Sequence, residues 1–159
     1  MILKSSNYGR LKTLNVMKKL IVLIFLIALN GCKEGRVVDN TLSRTIDLPG
    51  FTIRASPDWK TYIRQGTDSQ VGIITNDKDT LYYDFGWYSY SFGDVTTATH
   101  SKKNIIVDGR TALVVKPKNP GNGVIGFYAK IDDRNRLSLS GRSKNEAAIL
   151  SIFESIKFK

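Results

Sequence analysis

Asp108-Gly109 stands between two apolar runs, Ile105-Ile106-Val107 and Ala112-Leu113-Val114-Val115, and no other feature constrains the fold of this chain more. A two-residue connection of type I′ needs positive φ at both central positions, which Asp tolerates and Gly adopts without cost, so the segment predicts a β-hairpin. Other strand signals surround it. Phe51-Thr52-Ile53-Arg54 is a short β-rich run closed by Ser56-Pro57-Asp58, with Trp59 after the turn. Thr61 to Arg64 and Val71 to Ile74 are two more candidates, separated by a polar loop containing Gly66. Asn76-Asp77-Lys78-Asp79 is turn chemistry, and Thr80 to Trp87 resumes as a strand. By the two-residue period, Leu81, Tyr83, Phe85 and Trp87 share one face, packed on the core. Val124 to Ile131 and Leu137 to Ser140 pair as a second hairpin around Asp132 to Asn135.

The period changes at the end of the chain. Ala148, Ile149, Ile152, Phe153 and Ile156 form a helical stripe, and Ser143 with Glu146 has capping-box spacing, which starts the helix near Asn145. A helix over Ser91 to Lys103 is an alternative, but its Thr and Gly content argues for loop. Strands followed by one amphipathic helix predict an α+β domain: a single antiparallel sheet with the C-terminal helix packed on one face. At 159 residues, with 42% hydrophobic and 24% charged, the chain suits one globular domain and excludes collagen-like and wholly disordered classes. A single Cys excludes an internal disulfide framework and a Cys-rich zinc module.

That Cys has a particular setting. Residues 20 to 29, LIVLIFLIAL, carry no charge. Ten helical residues span about 15 Å, half of what a membrane-crossing helix needs. Met17-Lys18-Lys19 precedes the run as the positive region of a secretory signal, which suggests that translation starts at Met17. The run ends in Leu29-Asn30-Gly31-Cys32, which resembles the lipobox of bacterial lipoproteins. The resemblance implies a signal peptide over 1–31, cleavage before Cys32, and a diacylglycerol thioether on that sulfur. Two acyl chains anchor a protein stably where one is marginal. Lys33-Glu34, with no Asp after the Cys, points to the outer membrane over the inner. On this reading residues 32–45 are the lipidated Cys and a flexible tether, and 46–159 form the domain outside the cytoplasm.

The folded part also resembles, in Pro57-Asp58-Trp59 and in Ile152-Phe153-Glu154-Ser155-Ile156-Lys157-Phe158, the PsbP/Mog1-like fold of small exported proteins. Members of that family mostly act as binding or assembly factors, and the resemblance carries over no functional residue.

Charge follows the leader. Five of the 24 Lys and Arg and none of the 14 acids lie in residues 1–31, so 19 bases and 14 acids remain from Cys32 onward, a net +5. The bases are scattered, which argues against nucleic acid and for the neighbourhood of anionic lipid head groups.

Several constellations fail as chemistry. Gly121-Asn122-Gly123-Val124-Ile125-Gly126 spells G-x-G-x-x-G, but Pro117 and Pro120 precede it and a β-like run follows, which is a hairpin loop and no dinucleotide site. His100 is the only histidine, lies in a Ser/Thr-rich stretch and has no G-x-S-x-G serine to serve, so solvation is its expected state. Asp77, Asp79 and Asp84, or Asp132 and Asp133, lack the spacing of a calcium loop. No catalytic residue, cofactor or metal ligand is assigned.

Aromatic clustering is the remaining signal. Seven of 16 aromatics fall in residues 82–92, and Tyr82, Tyr88 and Tyr90 lie on the parity opposite Trp87. They are the candidate surface for a glycan or an envelope protein partner. The expectation is therefore a membrane-anchored envelope lipoprotein with a small non-enzymatic binding or accessory domain. The alternative is an envelope hydrolase whose catalytic residues are dispersed in the sequence.

Overall fold

The computed structural model describes residues 42–159. The expected signal peptide with Met17, the expected lipobox with Cys32, and the expected tether as far as residue 41 lie outside them. The chain runs β1 (Arg44–Leu48), β2 (Phe51–Ala55), β3 (Lys60–Gln65), β4 (Ser69–Thr75), β5 (Thr80–Gly86), β6 (His100–Val107), β7 (Arg110–Pro117), β8 (Ile125–Lys130), β9 (Arg136–Arg142), α1 (Glu146–Glu154) and β10 (Lys157–Phe158).

Two antiparallel sheets result. The smaller has the order β1-β2-β10 and the larger β3-β4-β5-β9-β8-β7-β6. Pro49-Gly50 turns β1 into β2, with Gly50 at φ 80°, the conformation a Pro-Gly type II turn requires at its second position. Asp108 (φ 49°) and Gly109 (φ 75°) close the β6–β7 hairpin, with Val107 paired to Arg110. Two meanders, β3-β4-β5 and β6-β7-β8-β9, are joined where β5 pairs β9.

The single-sheet α+β arrangement expected from the sequence, PsbP/Mog1-like in outline, is not what forms. The described chain is mostly β, with 52% of it in strands, and its one α-helix has nine residues. The reason is coverage. A nine-residue helix is about 13 Å long, whereas seven strands about 4.8 Å apart span more than twice that. The apolar face of the larger sheet therefore needs a second β layer. The β1–β2 hairpin, which starts at Arg44 within the expected tether, and β10 after the helix supply it.

The core lies under this layer. Phe51 and Ile53 of β2, Leu81 and Tyr83 of β5, Phe127 of β8, Leu137 and Leu139 of β9, and Ile149, Ile152 and Phe153 of α1 are all buried. Phe51 meets Tyr83 edge-to-face at 5.7 Å, and Phe127 meets Phe153 at 5.6 Å. The cap of α1 is Asn145, whose side chain accepts from Ala148 N. Ser143 instead accepts from the backbone N–H of Asn145, so the cap lies two residues beyond Ser143 and the expected capping box does not form, Ala148 standing where it needs Glu or Gln.

Residues 87–99 are loop and not helix. They pass over the other face of the larger sheet, where Phe92, fully buried at φ 57°, stacks on the Cα of Gly126 in β8.

Candidate functional site

Strand β5 alternates as expected as far as Phe85. Leu81 and Tyr83 are buried and Phe85 is half-buried. The strand then stops at Gly86, whose partners are Ser69 on β4 and Arg136 on β9. A Cβ at Gly86 would lie 2.7 Å from the backbone O of Asp68, so only glycine lets the β3–β4 turn close over this point.

Beyond Gly86 the chain turns sharply and is pinned. The hydroxyl of Ser89, itself buried, lies 2.9 Å from Asp84 O, 3.0 Å from Arg136 O and 3.3 Å from Gly86 O. Arg136 Nη1 donates to Trp87 O at 2.7 Å. With its backbone held from below, the corner turns its rings outward. Trp87 is 47% exposed and Tyr88 77%, with ring centroids 6.4 Å apart and planes inclined by 41°. The sequence placed Trp87 on the core face by continuing the strand parity. The structure corrects this because the two-residue period ends with the strand.

This corner forms one side of an open cleft of about 640 Å³. Gln65, Asp68, Ser69 and Gln70 of the β3–β4 hairpin face it, and Arg134 and Asn135 of the β8–β9 turn complete it. Both walls are held in place. Gln65 Nε2 donates to the backbone O of Gly66 and Ser69 at 3.1 and 3.3 Å. Asp132 accepts from Asn135 Nδ2 (2.8 Å) and from the backbone N–H of Arg134 and Asn135 (both 2.7 Å). The Asn135 side chain first, then those two N–H groups, hold the Asp132 carboxyl below its usual range. Gln70 has a covered Oε1 without a hydrogen-bond partner, a buried acceptor of a kind that costs free energy until a donor meets it.

The cleft offers several hydrogen-bonding groups and few ionisable ones. Asp68 is its one carboxylate and Arg134 its one cation. His100 stands at the start of β6, four strands away from β5. Its Nδ1 is 2.8 Å from Thr99 Oγ1, and its Nε2 is covered against Gly123, so it is packed where solvation was expected. Gly121 and Gly123 belong to the loop that enters β8. Asp77 pairs with Lys60 at 3.1 Å and Asp133 with Lys130 at 3.0 Å. Among the described residues no three His, Cys, Asp or Glu side chains gather as a metal site.

The three candidate tyrosines do not share one surface. Tyr82 (58% exposed) stands on the outer face of the larger sheet in register with Ile73 and Tyr62 (56% exposed). These three line a separate, shallow hollow with Arg64 and Val71. Tyr90 donates to Asp94 and packs its ring 4.6 Å from that of Phe92. That hydrogen bond, with some burial, raises the pKa of its phenol above the ordinary value. Tyr88 alone of the three reaches the cleft. Trp87 was missed as its partner, and Gly86 was the signal that would have found it, since glycine inside an apparent strand marks a break or a close approach.

Comparison with family models, with curated proteins and with solved structures returns no match.

Proposed function

We propose that this chain is a bacterial envelope lipoprotein, anchored through Cys32 and preferentially at the outer membrane, whose β-rich domain is a non-enzymatic binding or accessory module. The leader, ending in Leu29-Asn30-Gly31-Cys32, supports the anchor. One observation carries the binding role: Trp87 and Tyr88 are turned outward from a corner whose backbone is fixed by Ser89 and Arg136. Large aromatic rings held in water without apolar cover cost free energy, and a concave setting with polar groups around them is the form a ligand site takes.

Two measurements test the two halves. Cells labelled with radioactive palmitate should incorporate it into the wild-type chain and not into Cys32→Ala; equal labelling removes the anchor. For the module, a photoreactive amino acid at Tyr88 in intact cells should give a defined adduct that is absent with Trp87→Ala. A corner that crosslinks to nothing and binds no added ligand removes the binding role.

A further inference from the structure

Resting on the reading of this cleft as a ligand site, we propose that its ligand is an uncharged oligosaccharide, bound without being cleaved. The chemistry of the lining selects this class. Its apolar part is wholly aromatic (Phe85, Trp87 and Tyr88), with no aliphatic side chain, and its polar part consists of carboxamide, carboxylate, guanidinium and hydroxyl groups. A pyranose has the complementary division: a face of C–H bonds that stacks on a ring, and a rim of hydroxyls that both donate and accept. Protein-binding hot spots share the Trp, Tyr and Arg but cluster in closely packed, desolvated pockets, whereas this cleft is open and its rim is polar.

Geometry supports the same class. The Trp87 and Tyr88 rings, 6.4 Å apart and inclined by 41°, offer a curved stacking surface for consecutive sugar residues. Across from them, Asp68 accepts and Arg134 donates, and planar side chains such as these can engage two neighbouring hydroxyls at once. The one carboxylate and one cation leave the cleft without net charge, which favours a neutral ligand over a uronic acid or sulfated chain. Glycoside hydrolysis ordinarily needs two carboxylates flanking the bond, and Asp68 stands alone, so the bound chain leaves intact.

The protein contains two tryptophans. Trp59 is 3% exposed and Trp87 is on the cleft, so tryptophan emission reports on the site. The full chain, in a detergent without a sugar head group, is titrated with neutral oligomers of glucose, mannose and N-acetylglucosamine and with an acidic galacturonate oligomer. The expected result is a saturable emission change with at least one neutral oligomer and a weaker one with the acidic oligomer. Calorimetric titration of the same oligomer should show affinity lowered by about tenfold or more in Trp87→Ala and in Tyr88→Ala, both retaining the wild-type circular dichroism. No binding of any oligomer, or binding unchanged in both variants, overturns the inference. If no oligomer binds and the photoreactive group at Tyr88 instead captures a protein in a Trp87-dependent way, the saccharide falls and the binding module stands. If neither occurs, both fall.

Discussion

Asp108 accepts a hydrogen bond from Lys157 Nζ at 2.9 Å, and its second oxygen accepts from the backbone N–H of the next residue, Phe158, also at 2.9 Å. It does this from the type I′ turn between β6 and β7, so a turn whose conformation is set locally fastens the last strand of the smaller sheet, 49 residues further on.

That link is sensitive to acid. The Lys157 hydrogen bond first, then the Phe158 N–H, holds the Asp108 carboxyl below its ordinary value of 3.8. A depressed folded-state value means stability that is fully present above the unfolded-state value and lost as pH falls through the folded one. Asp132 shifts in the same direction and adds to the trend. Asp108→Asn, which keeps a residue tolerant of positive φ, should melt below wild type at neutral pH. The gap should close as pH drops below the carboxylate range. A gap independent of pH would rule out the carboxylate as its source.

Gly126→Ala should dislodge the 87–99 loop. Its Cβ would stand 2.5 Å from Cε1 of Phe92, and Phe92 has no exposed side to move toward. Overpacking of this kind costs about 1–3 kcal/mol. Denaturant unfolding should show that loss, and limited proteolysis should cut within the loop faster than in wild type.

Tyr83→Phe should leave stability unchanged or raise it. The phenol oxygen is buried without a partner, and burial pushes its pKa above the usual value. Removing a hydroxyl that lost its water and gained no bond recovers up to about 1 kcal/mol. A marked fall in denaturation midpoint would mean that the hydroxyl is bonded after all.

Ser89→Ala should loosen the Trp87-Tyr88 corner. The lost hydrogen bonding is worth about 1 kcal/mol of overall stability. The sharper readout is acrylamide quenching, which should increase for Trp87 while buried Trp59 stays protected. Tyr88→Ala, at a well-exposed position outside the core, should by contrast shift stability by no more than about 0.5 kcal/mol.

The parts of this protein that depend on near neighbours were written in its residues. Asp108-Gly109 specifies its hairpin because the requirement is for two backbone angles, and Ile149, Ile152 and Phe153 mark the buried side of α1 because helical spacing alone puts them there. What depends on distant partners was not. Nothing in Thr80–Gly86 states that β9 will be its neighbour, because a strand offers the same hydrogen-bonding groups to any strand of suitable register. The need for a second sheet appears only when one short helix is set against seven strands. The cleft follows the same logic: residues 65–70, 85–88 and 134–135 become its walls through the β4-β5-β9 register. Trp87 faces water because Gly86 ends the strand against Ser69, a contact across 17 positions of chain. Local sequence chose the elements and the aromatic residues; burial between remote segments decided how many layers form and which rings are left outside.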